Sequence, residues 1–296
     1  MKTAIYQINY ACNQNCQFCL NEWGGKNVQE IDLTKKLRII KKLKDLGVTN
    51  LTISGGEPML DRDFKEIVKL ASKLNMKVLI QTNGTRIDEE MTEFLKENNV
   101  FLEISLEGTE EIHNSVTKSK NFKAVITGIK NALNVKIPVC TNFTITKLNI
   151  KNLNGYLQLL KDLDIKLANF TKMYPSGNAL ININIMPSEK ENIEFLKQLA
   201  NNQNDIILNV QPGFKKNILK EAGIILSNSC TACKEISISP DGSVKPCPSW
   251  PIKYGNILSW YEMPEIEADG CAIEEMIEAK VNKPKKTIIE GKDGRV

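Results

Sequence analysis

Short runs rich in β-branched and aromatic residues recur over the first 170 residues of the chain and predict β-strands. These runs occupy residues 4–10, 48–54, 76–82, 100–105, 137–145 and 165–170. Between them, apolar residues recur at helical spacing, as Leu33, Leu37, Ile40 and Leu43 do between the first two runs. This alternation of strands with helices predicts an α/β fold built on a parallel sheet.

Polar or glycine-rich stretches follow each of the first four predicted strands. They are a cysteine-containing loop from residue 11, SGGEP at 54–58, QTNG at 81–84 and SLEG at 105–108. Parallel strands joined by right-handed crossovers curl readily into an open or closed barrel, and ligands gather at the carboxyl ends of the strands. We therefore expect the chemistry of this protein on the rim that these stretches form.

The alternation of strands and helices stops after about residue 205. There, Pro240, Asp241 and Gly242 stand between KEISIS and SVKPC, a strong signal for a β-hairpin. We predict a barrel over residues 1–204, a small second domain over 205–282 and a polar, charged and mobile tail over 283–296.

Composition sets limits on the function. The 296 residues are 42% hydrophobic and 25% charged, which suffices for a large buried core. The net charge of +4 arises from 39 basic against 35 acidic residues, and the lysines are spread over helix-like segments, so nothing favours nucleic acid as a partner. No run approaches the ~18 apolar residues of a membrane span, and the N-terminus lacks a signal peptide, so we expect a cytoplasmic protein.

The eight cysteines fall into two clusters with Cys140 between them, which favours metal or redox chemistry in a reducing compartment. The first cluster is Cys12, Cys16 and Cys19. A disulfide would leave one of these thiols over, and a zinc site built from this loop alone would lack a fourth ligand. A 4Fe-4S cluster held by three thiolates keeps one iron open for a ligand, which fits the loop better.

The stretch CNQNCQFC has the CxxxCxxC spacing of the radical S-adenosylmethionine (radical SAM) superfamily, and SGGEP, QTNG and EISLEG resemble the family's next three strand ends. The resemblance implies a partial (β/α)6, TIM-like barrel. It also implies that the open iron chelates the amino and carboxylate groups of SAM. In that family, one electron then cleaves SAM to a 5'-deoxyadenosyl radical, which takes a hydrogen atom from the substrate.

The same resemblance assigns SAM-binding residues. They are Phe18 near the adenine, then Gly55, Gly56, Glu57, Pro58, Asn83 and Ser105. Glycine backbone can approach a ligand closely, and Glu57 can accept hydrogen bonds from a cationic amino group. By itself SGGEP would equally be a tight turn between a strand and a helix, and a serine at position 105 could simply end its strand.

The chain departs from the family pattern after the fourth predicted strand. Glu107 and Gly108 stand where the peptide-modifying branch has DG, and His113, Asn114 and Thr117 stand where it has HD..R, so the arginine is missing. This weakens any detailed prediction of contacts to the SAM carboxylate. We interpret His113 as a hydrogen-bonded structural residue rather than a base or ligand, and Cys140 as a small hydrophobe outside the site.

The second cluster comprises Cys230, Cys233 and Cys247, followed by Cys271. With Gly242 before Cys247, it resembles the twitch or SPASM extensions of radical SAM enzymes, and so implies one auxiliary 4Fe-4S cluster. The alternative is a structural zinc site. The spacing also matches the GTP-rearranging enzyme of molybdenum-cofactor synthesis, whose glycine-rich C-terminus is absent here. Whether Cys271 closes the auxiliary cluster stays open.

The resemblance to sulfatase-maturing and ribosomal-peptide-modifying enzymes implies a net oxidative modification of a peptide or protein. Because the first predicted strand begins at about residue 4, we expect a separate peptide-recognition protein, and we expect a flavodoxin- or ferredoxin-type electron donor. A second hypothesis keeps the radical chemistry but places a nucleotide or tetrapyrrole at the auxiliary cluster. A third, of another class, is a non-catalytic iron-sulfur or zinc-binding protein.

Overall fold

The computed structural model describes residues 2–21, 31–202, 205–211, 213–214, 216–224, 235–249 and 253–261. The described strands are β1 (Lys2–Gln7), β2 (Val48–Ser54), β3 (Lys77–Thr82), β4 (Phe101–Ser105), β5 (Val139–Ile145), β6 (Leu167–Lys172), β7 (Ile207–Val210), β8 (Glu235–Ile238) and β9 (Val244–Lys245). The described helices are α1 (Leu33–Asp45), α2 (Phe64–Lys73), α3 (Glu89–Glu97), α4 (Glu110–Thr117), α5 (Phe122–Asn134), α6 (Leu153–Asp162), α7 (Asn178–Ile181), α8 (Glu189–Ala200) and α9 (Lys216–Glu221).

The described strands form one sheet in the order β7-β6-β5-β4-β3-β2-β1-β8-β9. Strands β1 to β7 are parallel to their neighbours, β8 is parallel to β1, and only β9 runs antiparallel, against β8. Because β7 and β9 do not pair with each other, the sheet is open at these two edges. All seven parallel strands from β1 to β7 thus end on one rim, as the sequence predicted.

Side chains alternate strictly between the two faces of the sheet. The face toward the helices is apolar, with Tyr6, Ile53, Ile80, Ile104 and Phe170 all fully buried. Each such side chain contributes about 1.5–3 kcal/mol through burial. The opposite, inner face carries polar side chains, namely Gln7, Gln81, Glu103, Ser105, Asn142, Thr144 and Thr171, which line a cavity.

Amphipathic helices cover the apolar face. Helix α1 is capped by Asp32, whose side chain accepts a hydrogen bond from the backbone N–H of Lys35, and the helix buries Ile39, Ile40 and Leu43. An aromatic cluster closes the other half of the core, where the rings of Phe143 and Phe195 stack at 6.0 Å between centroids. These contacts fix the strands whose ends form the site.

The predicted strands agree closely with the observed ones, and β2 occupies the predicted residues 48–54. The predicted hairpin is confirmed as the antiparallel pair β8 and β9, in which Gly242 has a φ of +81° that suits glycine. The predicted domain boundary at residue 205 stays a prediction, and the sheet continues across it through β7 and β8. The predicted tail over 283–296 lies outside the described residues.

In the described part of the chain, no helix is both long and apolar enough to cross a membrane.

A buried ion pair ties α1 to the segment that follows SGGEP. The Nζ atom of Lys36 lies 2.7 Å from Oδ2 of Asp61 and 3.0 Å from Oδ2 of Asp63, and the Lys36 and Asp61 side chains are each 2% exposed. Both buried carboxylates depend on this one ammonium group, because removing the cation would leave two buried negative charges without a counter-charge. The pair therefore anchors the turn that carries Gly56.

We expect Lys36→Met to lower the free energy of unfolding by about 3–5 kcal/mol, because it leaves buried carboxylates without a counter-charge. Urea unfolding followed by circular dichroism measures this change. The matched control is Lys35→Met, because Lys35 pairs with Asp32 at 3.8 Å on the surface and should cost at most about 1 kcal/mol. Equal losses in the two variants would contradict the anchoring role of Lys36.

Candidate active site

The cysteine loop, residues 11–21, leaves the carboxyl end of β1 and lies over the inner face of the sheet. The Cys16 thiol is buried, and those of Cys12 and Cys19 are half-buried. All three border one cavity of about 420 Å³. Its described lining also includes Phe18, Gly55, Gly56, Asn83, Ser105, Asn142, Thr144, Thr171 and Cys247. The structure thus brings Cys247 to the cavity that the first three cysteines border.

The SGGEP turn docks directly onto the backbone of the cysteine loop. The N–H of Gly56 donates to the carbonyl of Asn9 at 3.0 Å, and the N–H of Glu57 donates to the carbonyl of Ala11 at 2.8 Å. A Cβ atom on Gly56 would lie 2.2 Å from the Ala11 carbonyl oxygen. Position 56 therefore requires glycine because the SGGEP turn lies directly against the backbone of the cysteine loop, whether or not a ligand also approaches it.

Two further elements hold the cysteine loop. The end of α4 accepts from the N–H groups of Asn15 and Gln17 through the carbonyls of Thr117 and Val116. From α7, the side chain of Asn178 donates to the Cys16 carbonyl at 3.4 Å, while the N–H of Ala179 donates to the Cys19 carbonyl at 3.1 Å. The loop is thus fixed from three sides before any cofactor binds.

Glu57 differs from its predicted role as a direct contact to SAM. Its side chain is fully buried and does not border the cavity. The carboxylate accepts hydrogen bonds from Thr82 Oγ1 at 2.8 Å, from the N–H of Asn83 at 2.7 Å and from the N–H of Met59 at 3.1 Å. Glu57 therefore ties the end of β3 to the SGGEP turn, and Pro58, also buried, begins a 3₁₀ turn behind it.

The remaining predicted cofactor residues do border the cavity. Asn83 donates from Nδ2 to Asn13 Oδ1 at 2.7 Å, and its Nδ2 lies 3.8 Å from the Cys12 sulfur. Phe18 packs against a small apolar cluster of Met173, Ala179 and Ile185. Ser105 ends β4 on the inner face and is partly exposed to the cavity. Their contacts to SAM stay predictions.

Burial governs the electrostatics of the thiols. It raises the pKa of Cys12, and it raises the pKa of Cys16 well above the usual value, with a further rise from the neighbouring Cys19. The Cys12 and Cys16 thiols are therefore protonated without a metal, and metal binding releases these protons. In addition, the N–H of Asn21 donates to the Cys19 sulfur at 3.5 Å, which is the kind of contact that tunes an iron-sulfur cluster.

The structure assigns His113 and Cys140 to structural positions. His113 is buried in α4, and its Nδ1 accepts a hydrogen bond from the N–H of Glu107 at 3.2 Å. Burial lowers the pKa of His113 to about 4, so the ring is neutral at physiological pH. Cys140 does not border the cavity, and burial raises its pKa to about 12. Both interpretations from the sequence agree with these contacts.

Glu107, the residue that replaces the aspartate of the family's DG, is a fully buried carboxyl group. Its Oε2 accepts from the N–H of Thr144 at 2.7 Å, whereas its Oε1 has no hydrogen-bond partner among the described residues. Burial raises the pKa of Glu107 to about 8 despite the Thr144 hydrogen bond. The group is therefore mostly protonated at neutral pH in the folded protein.

Glu107→Gln is expected to change the pH dependence of stability. Between about pH 5 and pH 8 the unfolded chain has released the Glu107 proton but the folded protein retains it, so wild-type stability falls as pH rises, by at most about 1.4 kcal/mol per unit. The variant lacks this slope, and its stability relative to wild type should rise with pH across that window. Urea unfolding of the iron-free protein at several pH values measures it, with the exposed Glu93→Gln as control.

Identical slopes for wild type and Glu107→Gln would contradict the raised pKa of Glu107. Because His113 is present in both proteins, its own titration cancels in the difference between them.

The family follows from the sequence comparison. A profile of the radical SAM superfamily matches residues 6–163, which include the cysteine loop and the strands β2 to β5. The chain belongs to the radical SAM superfamily. It is therefore an enzyme of the class that uses SAM with a 4Fe-4S cluster.

Curated relatives carry different substrates in their names. The chain is 31% identical to the sporulation killing factor maturation protein SkfB of Bacillus subtilis over 51% of this chain, and 27% identical to the mycofactocin maturase MftC of Mycobacterium tuberculosis over 82%. It spans only 38% and 63% of those two proteins. It is also 30% identical to a probable GTP 3',8-cyclase of Methanocaldococcus jannaschii, over 81% of this chain and 82% of that protein.

Solved structures share the fold. SuiB of Streptococcus suis, solved with its precursor peptide SuiA, superposes with a TM-score of 0.76 at 16% identity over 93% of this chain and 73% of SuiB. The enzyme anSMEcpe with bound AdoMet superposes with a TM-score of 0.70 at 21% identity over 92% and 82%. The open parallel sheet is accordingly a partial radical SAM barrel.

The residues of the cysteine loop fit a 4Fe-4S cluster. Among the described residues, no three Cys, His, Asp or Glu side chains converge on the position of a single metal ion. A four-iron cluster does not need such convergence, because each thiolate binds a different iron. Three thiols around one cavity, with N–H donors near two of the sulfurs, suit the larger group.

The second cysteine cluster is only partly described. Cys247 borders the cavity together with Pro248 and Ser249. Cys230, Cys233 and Cys271 lie outside the described residues, so the auxiliary cluster stays a prediction.

Sequence reasoning missed the residues that position the cysteine loop. Asn9 accepts from the N–H of Gly56 through Oδ1 at 3.1 Å and donates from Nδ2 to the Glu57 carbonyl at 2.8 Å. Asn178 acts in the same way from α7. The available signal was one asparagine near the end of the first predicted strand and another in the segment that follows the sixth, since asparagines commonly bond to backbone in loops.

Proposed function

We propose that this radical SAM enzyme oxidatively modifies a peptide or protein substrate. Cys12, Cys16 and Cys19 hold the SAM-binding 4Fe-4S cluster. An auxiliary 4Fe-4S cluster is held by the C-terminal cysteines Cys230, Cys233 and Cys247, with Cys271 as the candidate fourth ligand. When bound, the first cluster supplies the electron that cleaves SAM to the 5'-deoxyadenosyl radical.

The observation that carries this proposal is the position of Cys247 on the cavity bordered by Cys12, Cys16 and Cys19. A second cluster at that edge would lie within the same enclosed space as the substrate. Net oxidation requires an electron acceptor close to the substrate, since the radical step removes only one hydrogen atom. The shared cavity supports such an arrangement.

The chain's own residues place the reactants and exclude water. Gly55 and Gly56 present backbone to the cavity, and Phe18 offers an aromatic face beside the cysteines. Asn83 and Ser105 offer an amide and a hydroxyl at the ends of neighbouring strands, β3 and β4. We assign these groups to SAM, whose charged and polar parts need such partners.

A peptide substrate is supported by two features. SkfB and MftC are named as maturation enzymes, and SuiB was solved with a precursor peptide. In addition, the segment that holds the cysteine loop exposes apolar side chains, with Leu180 57% and Ile181 79% exposed. Such a surface beside the cysteine loop suits an extended peptide that enters the cavity.

A nucleotide substrate is the second candidate. The chain is 30% identical to a probable GTP 3',8-cyclase and covers 82% of that protein, more than it covers of either peptide maturase. A nucleotide would occupy the same cavity under the auxiliary cluster.

One experiment separates these functions. The reconstituted, reduced enzyme is incubated anaerobically with SAM alone, with SAM and GTP, and with SAM and the products of small open reading frames next to its gene. We expect 5'-deoxyadenosine in all samples, and a mass loss of 2 Da, about two hydrogen atoms, in a peptide only. A modified nucleotide with unchanged peptides would establish the second candidate instead.

A further inference from the structure

The inner face of the sheet below the SAM site is mostly polar, although Ile5 also borders the cavity and Cys140 is the register partner of Glu103. Gln81, Asn142 and Thr171 border the cavity, and Asn169 and Asn209 continue the polar surface, with Asn209 Nδ2 donating to Asn169 Oδ1 at 2.8 Å. Barrels that only need stability fill this space with branched apolar side chains. The polar inner face therefore indicates a surface that contacts a ligand.

Glu103 is the single carboxylate among the described residues that border this cavity. It lies on β4 two residues before Ser105, about 7 Å deeper along the strand. The side chain is 8% exposed, and burial raises the pKa of its carboxyl group. It is thus held below the layer where Ser105 is assigned to SAM.

The hydrogen-bond partner of Glu103 is an amide. Its Oε2 accepts from Gln81 Nε2 at 3.3 Å, while the nearby side chain of Asn169 donates from Nδ2 to the Cys140 sulfur at 3.8 Å. In the described part of the chain, no lysine or arginine forms an ion pair with it, although buried carboxylates are normally paired with a cation. A long amide hydrogen bond compensates little of the cost of burying a charge.

We propose that Glu103 binds the substrate by accepting hydrogen bonds from a cationic side chain, the ammonium of a lysine or the guanidinium of an arginine, that enters the cavity. This inference rests on the proposed peptide substrate and specifies which peptides the enzyme takes. The cation supplies the counter-charge that the described residues around Glu103 do not.

Two charged side chains border the cavity among the described residues, Glu103 and Lys172. The Nζ atom of Lys172 lies 6.0 Å from the centroid of the Phe214 ring, and Lys172 forms no described ion pair with Glu103. At the depth of Glu103 the phosphates of a nucleotide would therefore meet a carboxylate, whereas an aliphatic stem ending in a cation passes the apolar ring of Phe18 and reaches the amides below. Gln81 and Glu103 are direct partners in the sheet register, so each holds the other toward the cavity.

The test measures binding rather than turnover. Fluorescently labelled peptides of the form Gly-Ser-Ala-X-Ala-Ser-Gly, with X as lysine, arginine, norleucine or glutamate, are titrated into the anaerobically reconstituted enzyme with SAM and no reductant. The proteins are wild type, Glu103→Gln and the double variant Gln81→Glu/Glu103→Gln. The double variant moves the carboxylate to its partner across the strand pair. Iron content and the midpoint of thermal unfolding report whether each variant is folded and loaded.

We expect the lysine and arginine peptides to bind wild type about 10- to 100-fold more tightly than the norleucine peptide. Glu103→Gln should abolish this difference while leaving norleucine binding unchanged, and the double variant should restore much of it. A simple loss of structure would weaken all four peptides together.

Several results would overturn the inference. If the peptides bind without a preference for a cation, or if Glu103→Gln keeps the preference, Glu103 does not recognise a cation, and the peptide function itself survives. If no peptide binds but GTP does, both the inference and the proposed function fail.

Discussion

Replacing Cys12, Cys16 and Cys19 together by alanine is expected to remove about four irons per chain and to reduce SAM cleavage below detection. The three thiols border one cavity, and the cysteine loop contains no further cysteine that could replace them as ligands. Iron and sulfide analysis of the anaerobically reconstituted protein measures the first effect. Quantification of 5'-deoxyadenosine measures the second.

The remaining iron in this triple variant also reports on the second cluster. If Cys247 and its partners hold an auxiliary cluster, wild type contains about eight irons and the variant about four. The matched control is Cys140→Ala, since Cys140 lies off the cavity lining and should change neither value. A triple variant that still cleaves SAM would refute the assigned ligands, and one that holds zinc would refute the auxiliary iron-sulfur cluster.

Gly56→Ala is expected to abolish cluster assembly at the cysteine loop although no ligand is removed. The new Cβ would lie 2.2 Å from the Ala11 oxygen and 2.7 Å from the Tyr10 oxygen, and both are backbone atoms that cannot rotate away. The loop must therefore leave its position against the SGGEP turn. We expect a folded barrel whose iron content at this loop and whose SAM cleavage both fall at least about tenfold.

The control for Gly56→Ala is Gly155→Ala in α6. Its Cβ would meet only side chains, at 3.0 Å from Asn152 Nδ2 and 3.2 Å from Thr109 Cγ2, and alanine suits a helix better than glycine. That variant should retain iron and SAM cleavage. Normal iron content in Gly56→Ala would show that the cysteine loop still binds its cluster when it is displaced from the SGGEP turn. That result would contradict the positioning role of the turn.

Much of the fold could be predicted from local sequence patterns, because strands and helices alternate with clear periodicity. The first strand was predicted at 4–10 but is observed at Lys2–Gln7. The reason is that Asn9 and Tyr10, although they continue the apolar alternation, leave the sheet so that Asn9 can bond to Gly56 and Glu57. A contact between residues 47 positions apart has no local signature.

The part of the candidate site that could be predicted is the set of ligands defined by the CxxxCxxC spacing, which are Cys12, Cys16 and Cys19. The role of Glu57 could not be predicted, because the sequence could not reveal that its carboxylate faces Thr82 and Asn83 instead of the cavity. The contact of Asn178 with the Cys16 carbonyl joins residues 162 apart. The position of Glu103 on the inner face could not be predicted from the sequence, because Glu103 is a single polar residue within an apolar strand. The strand register shows which face it occupies.

The pairing of β1 with both β2 and β8 has a consequence for the order of folding. Thr3 is in register with Glu235, so one edge of the strand that leads into the cysteine loop has no partner until synthesis has passed residue 235. Closing such a long loop is slow, since its entropic cost must be met before the strand pair forms. The three thiols therefore emerge well before the strand that completes their support, and iron-sulfur insertion is expected to follow the pairing of β1 with β8.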